Sequence, residues 1–181
     1  MSATAPLLVV KNDSTLRRAA AGDHESFGTL IREHQDMVFS IAWNFLHDRD
    51  RAEEIAQEVF LQLYRTMGEI ESAAHLTFWL RRVTANRCID ESRRGRWRIV
   101  TLDEASDVAQ HAEESDLFLF KRVGQMLQRL PAQQRLAITM RYQEGLEPSE
   151  IGAVLDMPLN TVKSHLRRGL AALREWLGVT S

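Results

Sequence analysis

Two adjacent arginines near the C-terminus, Arg167 and Arg168, stand on the same side of a short apolar stripe as Ser164 and, one turn earlier, Thr161. The stripe is Val162, Leu166, Gly169, Leu170, Leu173, Trp176 and Leu177, spaced as one face of a helix. At about 100° per residue it turns the donors outward. Guanidinium forks bond both acceptors of a guanine edge or a phosphate, and short hydroxyls at a helix start reach backbone phosphates. The chemistry this face suits is DNA recognition. The plainer alternative is the solvated side of a terminal amphipathic helix.

The element that must position such a face is a helix-turn-helix over residues 147–173. Ser149 is the expected N-cap of its first helix, and Ile151, Val154 and Leu155 repeat at the spacing of a buried face. Asp156-Met157-Pro158 ends that helix, because the residue before a proline is pushed out of the α region. Asn160 is the expected cap of the second helix.

Composition narrows the class. The chain has 181 residues, 44% of them hydrophobic and 27% charged, as in ordinary globular proteins. It contains no apolar run of roughly 18 residues, and its start lacks the basic stretch of a secretory signal, so a cytoplasmic location is expected. One cysteine, Cys88, permits no internal disulfide and no multi-cysteine zinc site, and the scattered histidines supply no clamp pair. No metal, no cofactor and no enzymatic activity are expected: a phosphate-cradling glycine loop, a nucleophile elbow and a histidine pair with glutamate are all missing. Cys88 reads as inert packing. The net charge of −2 conceals alternating blocks. Seven arginines (81, 82, 87, 93, 94, 96 and 98) crowd residues 81–98, and six acids (103, 104, 107, 113, 114 and 116) occupy residues 103–116 without a Lys or Arg.

In chain order, residues 1–14 read as a frayed start. Phe27, Leu30, Ile31, His34, Val38, Ile41, Ala42 and Phe45 keep helical spacing, with His34 as a packed core histidine. Asp50 with Glu53 suggests a capping box opening a helix over 51–67. That helix buries Ala52, Ile55, Ala56, Val59, Leu63 and Met67 and exposes Glu53, Glu54, Gln57 and Glu58. Two readings of these acids stand side by side: stabilisation of the helix dipole, or a face that binds a partner. A loop over 68–74 leads to a helix over 76–93, apolar on nearly all sides and therefore central. Along it Asn86 and Asp90 continue the line of Trp79 and Val83, so they either bond neighbouring backbone or mark where the stripe opens on a ligand. Residues 93–98 form a basic exit containing Trp97. Residues 99–116 have the composition of an acidic tether. Helices over 117–130 and 133–142 precede the helix-turn-helix. The expected fold is all-α: two small helical domains, over 15–98 and 117–181, joined by a flexible linker.

Three stretches together resemble the extracytoplasmic-function sigma factors of bacterial RNA polymerase, over roughly residues 27–177. They are the block 50–60 (DRAEEIAQEVF), the block 78–86 (FWLRRVTAN) with Asp90, Arg93 and Arg94, and Leu130-Pro131 followed by Arg141-Tyr142 and the Thr161-Val162-Lys163-Ser164 helix. The resemblance implies a non-enzymatic initiation factor with polymerase core, promoter DNA and a separate anti-sigma protein as partners. It implies that Asp50, Glu53, Glu54, Gln57 and Glu58 dock on polymerase. It implies that His75, Trp79, Asn86, Asp90, Arg93 and Arg94 serve the minus-ten element, with the loop over 68–75 and Asn86 forming the pocket for a flipped base. It places Thr161, Lys163, Ser164, His165, Arg167 and Arg168 on the minus-thirty-five element. The acidic linker resembles one that runs through the RNA exit path. Asp156 and Asn160 stand where the family often has glycine, and His165 where arginine is common. The rival reading is a two-domain regulator that never becomes a polymerase subunit. It leaves the 79–94 block and the acidic face without a role.

Overall fold

The computed structural model describes residues 5–94 and 114–178, with side chains over 13–94 and 122–178. Every regular element among them is helical: α1 (Ala5–Ala20), α2 (His24–Leu46), α3 (Arg49–Thr66) continued by a 3-10 turn at Met67–Glu69, α4 (Ala73–Arg94), α5 (Glu114–Arg129), α6 (Ala132–Tyr142), α7 (Pro148–Leu155) and α8 (Leu159–Leu177). The all-α expectation holds. Most of the acidic tether and the end of the basic exit, 95–98, lie outside the described residues. The second helical set starts at Glu114, three residues before the expected boundary.

The N-terminal segment departs from expectation. Instead of a frayed start, α1 runs from Ala5, with Leu16 and Ala19 buried against the rest of the core. Asp13 explains part of its role: its carboxylate accepts from the Ala73 amide at 3.2 Å and so caps α4. Sequence periodicity cannot reveal a cap supplied from 60 residues away.

In α2, Leu30, Val38, Ile41, Ala42 and Phe45 form the buried face. His34 is only half-buried, and burial pulls its pKa below the usual imidazole value. The helix stops at His47, which takes the left-handed conformation (φ 51°) and donates its amide to the Trp43 carbonyl at 2.7 Å. That reversal leaves Asp48 extended, and its carboxylate accepts the Arg51 amide at 3.0 Å. The cap of α3 is therefore Asp48 rather than the expected Asp50 with Glu53. Asp50 sits inside the first turn, where a carboxylate suits the helix dipole.

The expected loop over 68–74 is shorter than the sequence suggested, because the 3-10 turn takes its start and α4 begins at Ala73. Ser72 Oγ accepts the His75 amide at 3.1 Å, an N-terminal capping bond. Leu76, Leu80, Thr84, Ala85 and Cys88 are buried, and α4 packs on α1, α2, α3, α6 and α7, which is why its apolar residues are not confined to one stripe. Burial raises the Cys88 thiol to about 12, so it stays protonated.

The two helical sets meet in a polar seam. The Arg135 guanidinium of α6 is buried and donates to the Phe45 carbonyl (2.8 Å), Gln128 Oε1 (2.7 Å), the Gln128 carbonyl (2.9 Å) and the Leu130 carbonyl (3.2 Å). Gln128 adds a second bond to the Phe45 carbonyl at 2.6 Å. Beside it the His47 ring packs so tightly on Gly124 of α5 that a Cβ there would lie 2.6 Å from the imidazole. Burial, and then the Arg135 charge, lower the His47 pKa to about 4.

His47 is thus neutral in the fold and titrates well below its ordinary value of 6.5. The unfolded chain takes up the proton first. Stability from this group is complete above about pH 6.5 and declines as pH falls toward about 4, by at most about 3 kcal/mol at roughly 1.4 kcal/mol per pKa unit. Urea denaturation at about pH 7.5 and about pH 5 should show the native chain losing about 2 kcal/mol more than His47→Asn, a variant that tolerates the left-handed turn. Equal losses in the two proteins would show that this ring is not held neutral.

Candidate nucleic-acid interface

The helix-turn-helix is α7 and α8. Its first cap is Glu147, with Pro148 in the first turn, and it forms a reciprocal box in which the Glu150 carboxylate accepts the Glu147 amide at 2.7 Å. Ser149, the expected cap, lies inside the helix and is exposed. A proline at N1 fixes the residue before it in extended geometry, so the helix starts two residues earlier than the hydroxyl suggests. Arg141 ties this corner to α6 by donating to Glu147 Oε1 at 2.7 Å and to the Leu146 carbonyl at 3.0 Å.

The turn is tight. Asp156 adopts φ 53°, ψ 51°, the left-handed geometry that this residue type accepts more readily than most. The Met157 amide donates to the Gly152 carbonyl at 2.9 Å. The Met157 carbonyl lies 2.8 Å from where a Cβ on Gly152 would stand, so only glycine lets the chain fold back this closely. Helix α8 opens directly after Pro158, whose carbonyl accepts the Thr161 and Val162 amides. Asn160, expected as the cap, is an exposed residue of the first turn. Pro158 itself takes the cap position, without a side-chain capping bond.

The stripe of α8 faces inward as expected, with Val162 and Gly169 buried and Leu166, Leu170, Leu173, Trp176 and Leu177 half-buried. Arg129 of α5 lies over the Trp176 ring at 4.9 Å. Lys163, Arg167 and Arg168 are exposed, and Thr161 and Ser164 are half-buried beside them. Among the described residues neither Arg167 nor Arg168 has an ion-pair partner. His165 differs from its neighbours: its Nδ1 is buried without a partner, and burial followed by the Arg168 charge lowers its pKa. It is a neutral, partly inward ring rather than a fourth cation beside Lys163, Arg167 and Arg168.

On α4, Trp79 and Val83 are half-buried, while Asn86, Asp90, Arg93 and Arg94 are exposed. The line drawn through 79, 83, 86 and 90 thus runs out of the core into solvent. Asn86 has no hydrogen-bond partner among the described residues. Asp90 lies 3.7 Å from Arg93. His75 is half-buried at the head of the helix, and its Nδ1 accepts the Glu71 amide at 3.3 Å.

The acidic residues of α3 point outward, with Asp50, Glu53, Glu54 and Gln57 exposed and Glu58 half-buried. An arginine stands beside each of three glutamates: Arg49 to Glu53 at 3.1 Å, Arg51 to Glu54 at 2.8 Å, and Arg87 to Glu58 at 3.0 Å. Leu61 and Tyr64, which the sequence reading passed over, are 58% and 51% exposed on the same helix. They continue the Glu54–Gln57 face by steps of four and three residues, a pattern hidden because large apolar groups at helical spacing ordinarily mark core. Arg51, Glu54, Glu58, Arg87, Asp90 and Arg94 line a cleft between α3 and α4, so the acidic face and the polar end of α4 border one another.

These features define a helical DNA-binding chain with a second, mixed-charge surface. Comparison with known proteins gives the family. The profile for sigma-70 region 2 matches residues 30–98, and that for sigma-70 region 4 matches residues 120–173. The chain is 34% identical over 170 residues to the ECF RNA polymerase sigma factor SigE of Mycolicibacterium smegmatis, covering 87% of this chain and 65% of that protein. It is 30% identical over 182 residues to the RNA polymerase sigma-H factor of Pseudomonas aeruginosa, covering 92% and 94%. The fold is shared with the sigma factor RpoE of Bartonella quintana, solved with the anti-sigma factor NepR, at a TM-score of 0.72, 21% identity, and coverage of 87% and 99%. The chain belongs to the sigma-70 family of RNA polymerase sigma factors, in its extracytoplasmic-function group. No described helix is long and apolar enough to cross a membrane.

Gly152→Ala should force the Met157 carbonyl away and cost about 1–3 kcal/mol, as overpacking against backbone does. Thermal melting checks this. A variant as stable as the native chain would mean that the turn yields freely.

Proposed function

We propose that this chain binds core RNA polymerase in the bacterial cytoplasm and directs initiation at a specific set of promoters, without catalytic chemistry of its own. The carrying observation is that one chain matches both sigma-70 regions while presenting, on α8, two exposed and unpaired arginines. In this reading residues 15–98 act as region 2, 99–116 as an acidic linker and 117–181 as region 4. Thr161, Lys163, Ser164, Arg167 and Arg168 contact the minus-thirty-five duplex, with the neutral His165 packing at its edge. His75, Trp79, Asn86, Asp90, Arg93 and Arg94 serve the minus-ten element. Asp50, Glu53, Glu54, Gln57 and Glu58 dock on polymerase, extended by the apolar pair Leu61 and Tyr64. A separate anti-sigma protein holds the factor inactive until a stress signal releases it.

The exposed amide of Asn86 supports its role in strand opening. Two donors and an acceptor, on a helix anchored by Leu80, Thr84 and Cys88, suit the edge of an unstacked base. Flipping a base costs a few kcal/mol, which such contacts must return.

Transcription from cognate promoters with purified core polymerase tests the reading as a whole, and the rival regulator would instead bind specific DNA with no polymerase present. Reversing Glu54 and Glu58 to Lys should weaken core binding while changing stability by no more than about 1 kcal/mol per site, the scale of the exposed pairs with Arg51 and Arg87 that are lost; an unchanged titration against core removes these acids from the docking face. Arg167→Ala or Arg168→Ala should cost about 1–3 kcal/mol of upstream binding if the lost contact is bidentate to a base, and normal initiation by both variants defeats the assignment. Asn86→Ala should keep closed complexes and lose promoter melting, read by permanganate reactivity of unpaired thymines and rescued by a pre-melted template. Normal opening by this variant would return Asn86 to an ordinary surface residue.

A further inference from the structure

Helix α1 reaches the start of α4 through a single bond. We infer that Asp13 is a positioning residue for promoter opening: through the Ala73 amide it fixes the first turn of α4 and the segment that leads into it. Ala73 is the first residue of α4, so its amide has no acceptor within its own helix. The Asp13 carboxylate supplies one at 3.2 Å, from a half-buried position 60 residues earlier in the chain. A negative charge at this end also suits the helix dipole. Asp13 is itself held in place, because Leu16 and Ala19 of the same helix are buried in the core and α1 packs on α2, on α4 and on the 3-10 turn.

The segment that this bond closes is pinned at successive steps. Met67 and Ile70 are buried, and the Ile70 amide donates to the Met67 carbonyl at 3.3 Å. Ser72 Oγ accepts the His75 amide at 3.1 Å, and the Ser72 carbonyl accepts the Leu76 amide at 2.9 Å. The Glu71 amide donates to His75 Nδ1 at 3.3 Å, which puts the ring proton on Nε2. Asp13 adds a tie from outside the segment. Without it the Ala73 amide must turn to water, and the first turn of α4 loosens together with the His75 ring that the turn orients.

The consequence rests on the proposed reading, in which residues 68–75 and Asn86 receive an unstacked base. The contacts to that base must return the cost of flipping it. Ordering a loosened turn at the moment of capture subtracts from that return. Asn86 lies further along α4, beyond the buried Leu80 and Thr84, so Asp13 acts on the loop side of the pocket and not on the amide. The acids of α3 and the donors of α8 stand on other helices. Asp13 therefore matters for opening, and not for docking on polymerase or for binding the upstream duplex.

The test uses the full chain with core polymerase. Asp13→Ala should bind core and form closed complexes as the native chain does, yet open a duplex promoter about fivefold more slowly, the factor expected from one lost capping bond. Permanganate reactivity of unpaired thymines reads the opening, and a pre-melted template should restore the native rate. Asp13→Asn, which keeps an acceptor oxygen, should open promoters nearly as the native chain does. A second change separates positioning from bulk support by α1. Ala73→Pro removes the amide and fixes φ at the first helical position, where proline is tolerated. The double variant Asp13→Ala with Ala73→Pro should regain opening, because the turn no longer needs an acceptor. Normal opening by Asp13→Ala, an equal loss on duplex and pre-melted templates, or no rescue by the proline overturns the inference. Circular dichroism checks folding; if Asp13→Ala alone does not fold, the double variant decides, with native opening supporting the positioning role and a loss overturning it. The two levels come apart cleanly: equal opening by the native chain and Asp13→Ala sinks the positioning role and leaves the sigma-factor reading standing, whereas a native chain that opens no promoter with core sinks that reading and the inference with it.

Discussion

A single buried guanidinium sets the relation between the two halves of the molecule. Arg135 has no carboxylate within bonding distance, so its charge is met by carbonyl oxygens from Phe45, Gln128 and Leu130, by the Gln128 amide oxygen and by the Phe45 ring. The Phe45 carbonyl stands in the last turn of α2, where helix carbonyls lack intrahelical partners and the dipole favours a cation. Burial lowers the Arg135 pKa only to about 10, so the charge persists at neutral pH. A buried cation without these acceptors is strongly unfavourable, which gives the seam a unique fit rather than a greasy one.

The same logic of borrowed partners runs through the rest of the fold. Asp13 of α1 caps α4, Arg141 of α6 holds the Glu147 corner of α7, and Arg87 of α4 pairs with Glu58 and Gln62 of α3. In each case a helix is held by a side chain from another helix. The faces left over carry the exposed polar groups: the donors of α8, the end of α4 beyond Val83, and the outer side of α3. The surfaces proposed for function therefore lie where the packing of each amphipathic helix has no further neighbour.

The glutamates of α3 illustrate a balance between stability and recognition. Their outward direction is as expected, and each of three has an arginine beside it. Arg49, Arg51 and Arg87 stand near Glu53, Glu54 and Glu58, in pairs exposed enough that each contributes at most about 1 kcal/mol. Such weak pairing leaves the carboxylates free to exchange partners, as the docking role proposed for them requires. Leu61 and Tyr64 add apolar area beside them.

Much of this was readable from the residues because it depends on local rules. Helical periodicity gave the all-α class, the inward stripe of α8 and the central position of α4, and Pro158 marked the end of α7, while the left-handed geometry of Asp156 came only with the structure. The outward direction of Arg167, Arg168, Glu53 and Glu54 came with those periods. Caps were less legible: Asp48, Glu147 and Pro158 displaced Asp50, Ser149 and Asn160, since a cap depends on where the preceding chain turns extended, and that is decided by His47 and by the prolines. Helix α1 and its capping of α4, the pairing of Arg81 with Glu144, and the burial of Arg135 were invisible. All three are contacts between residues distant in sequence, and no periodicity encodes which carbonyl or carboxylate a side chain will meet once the helices pack.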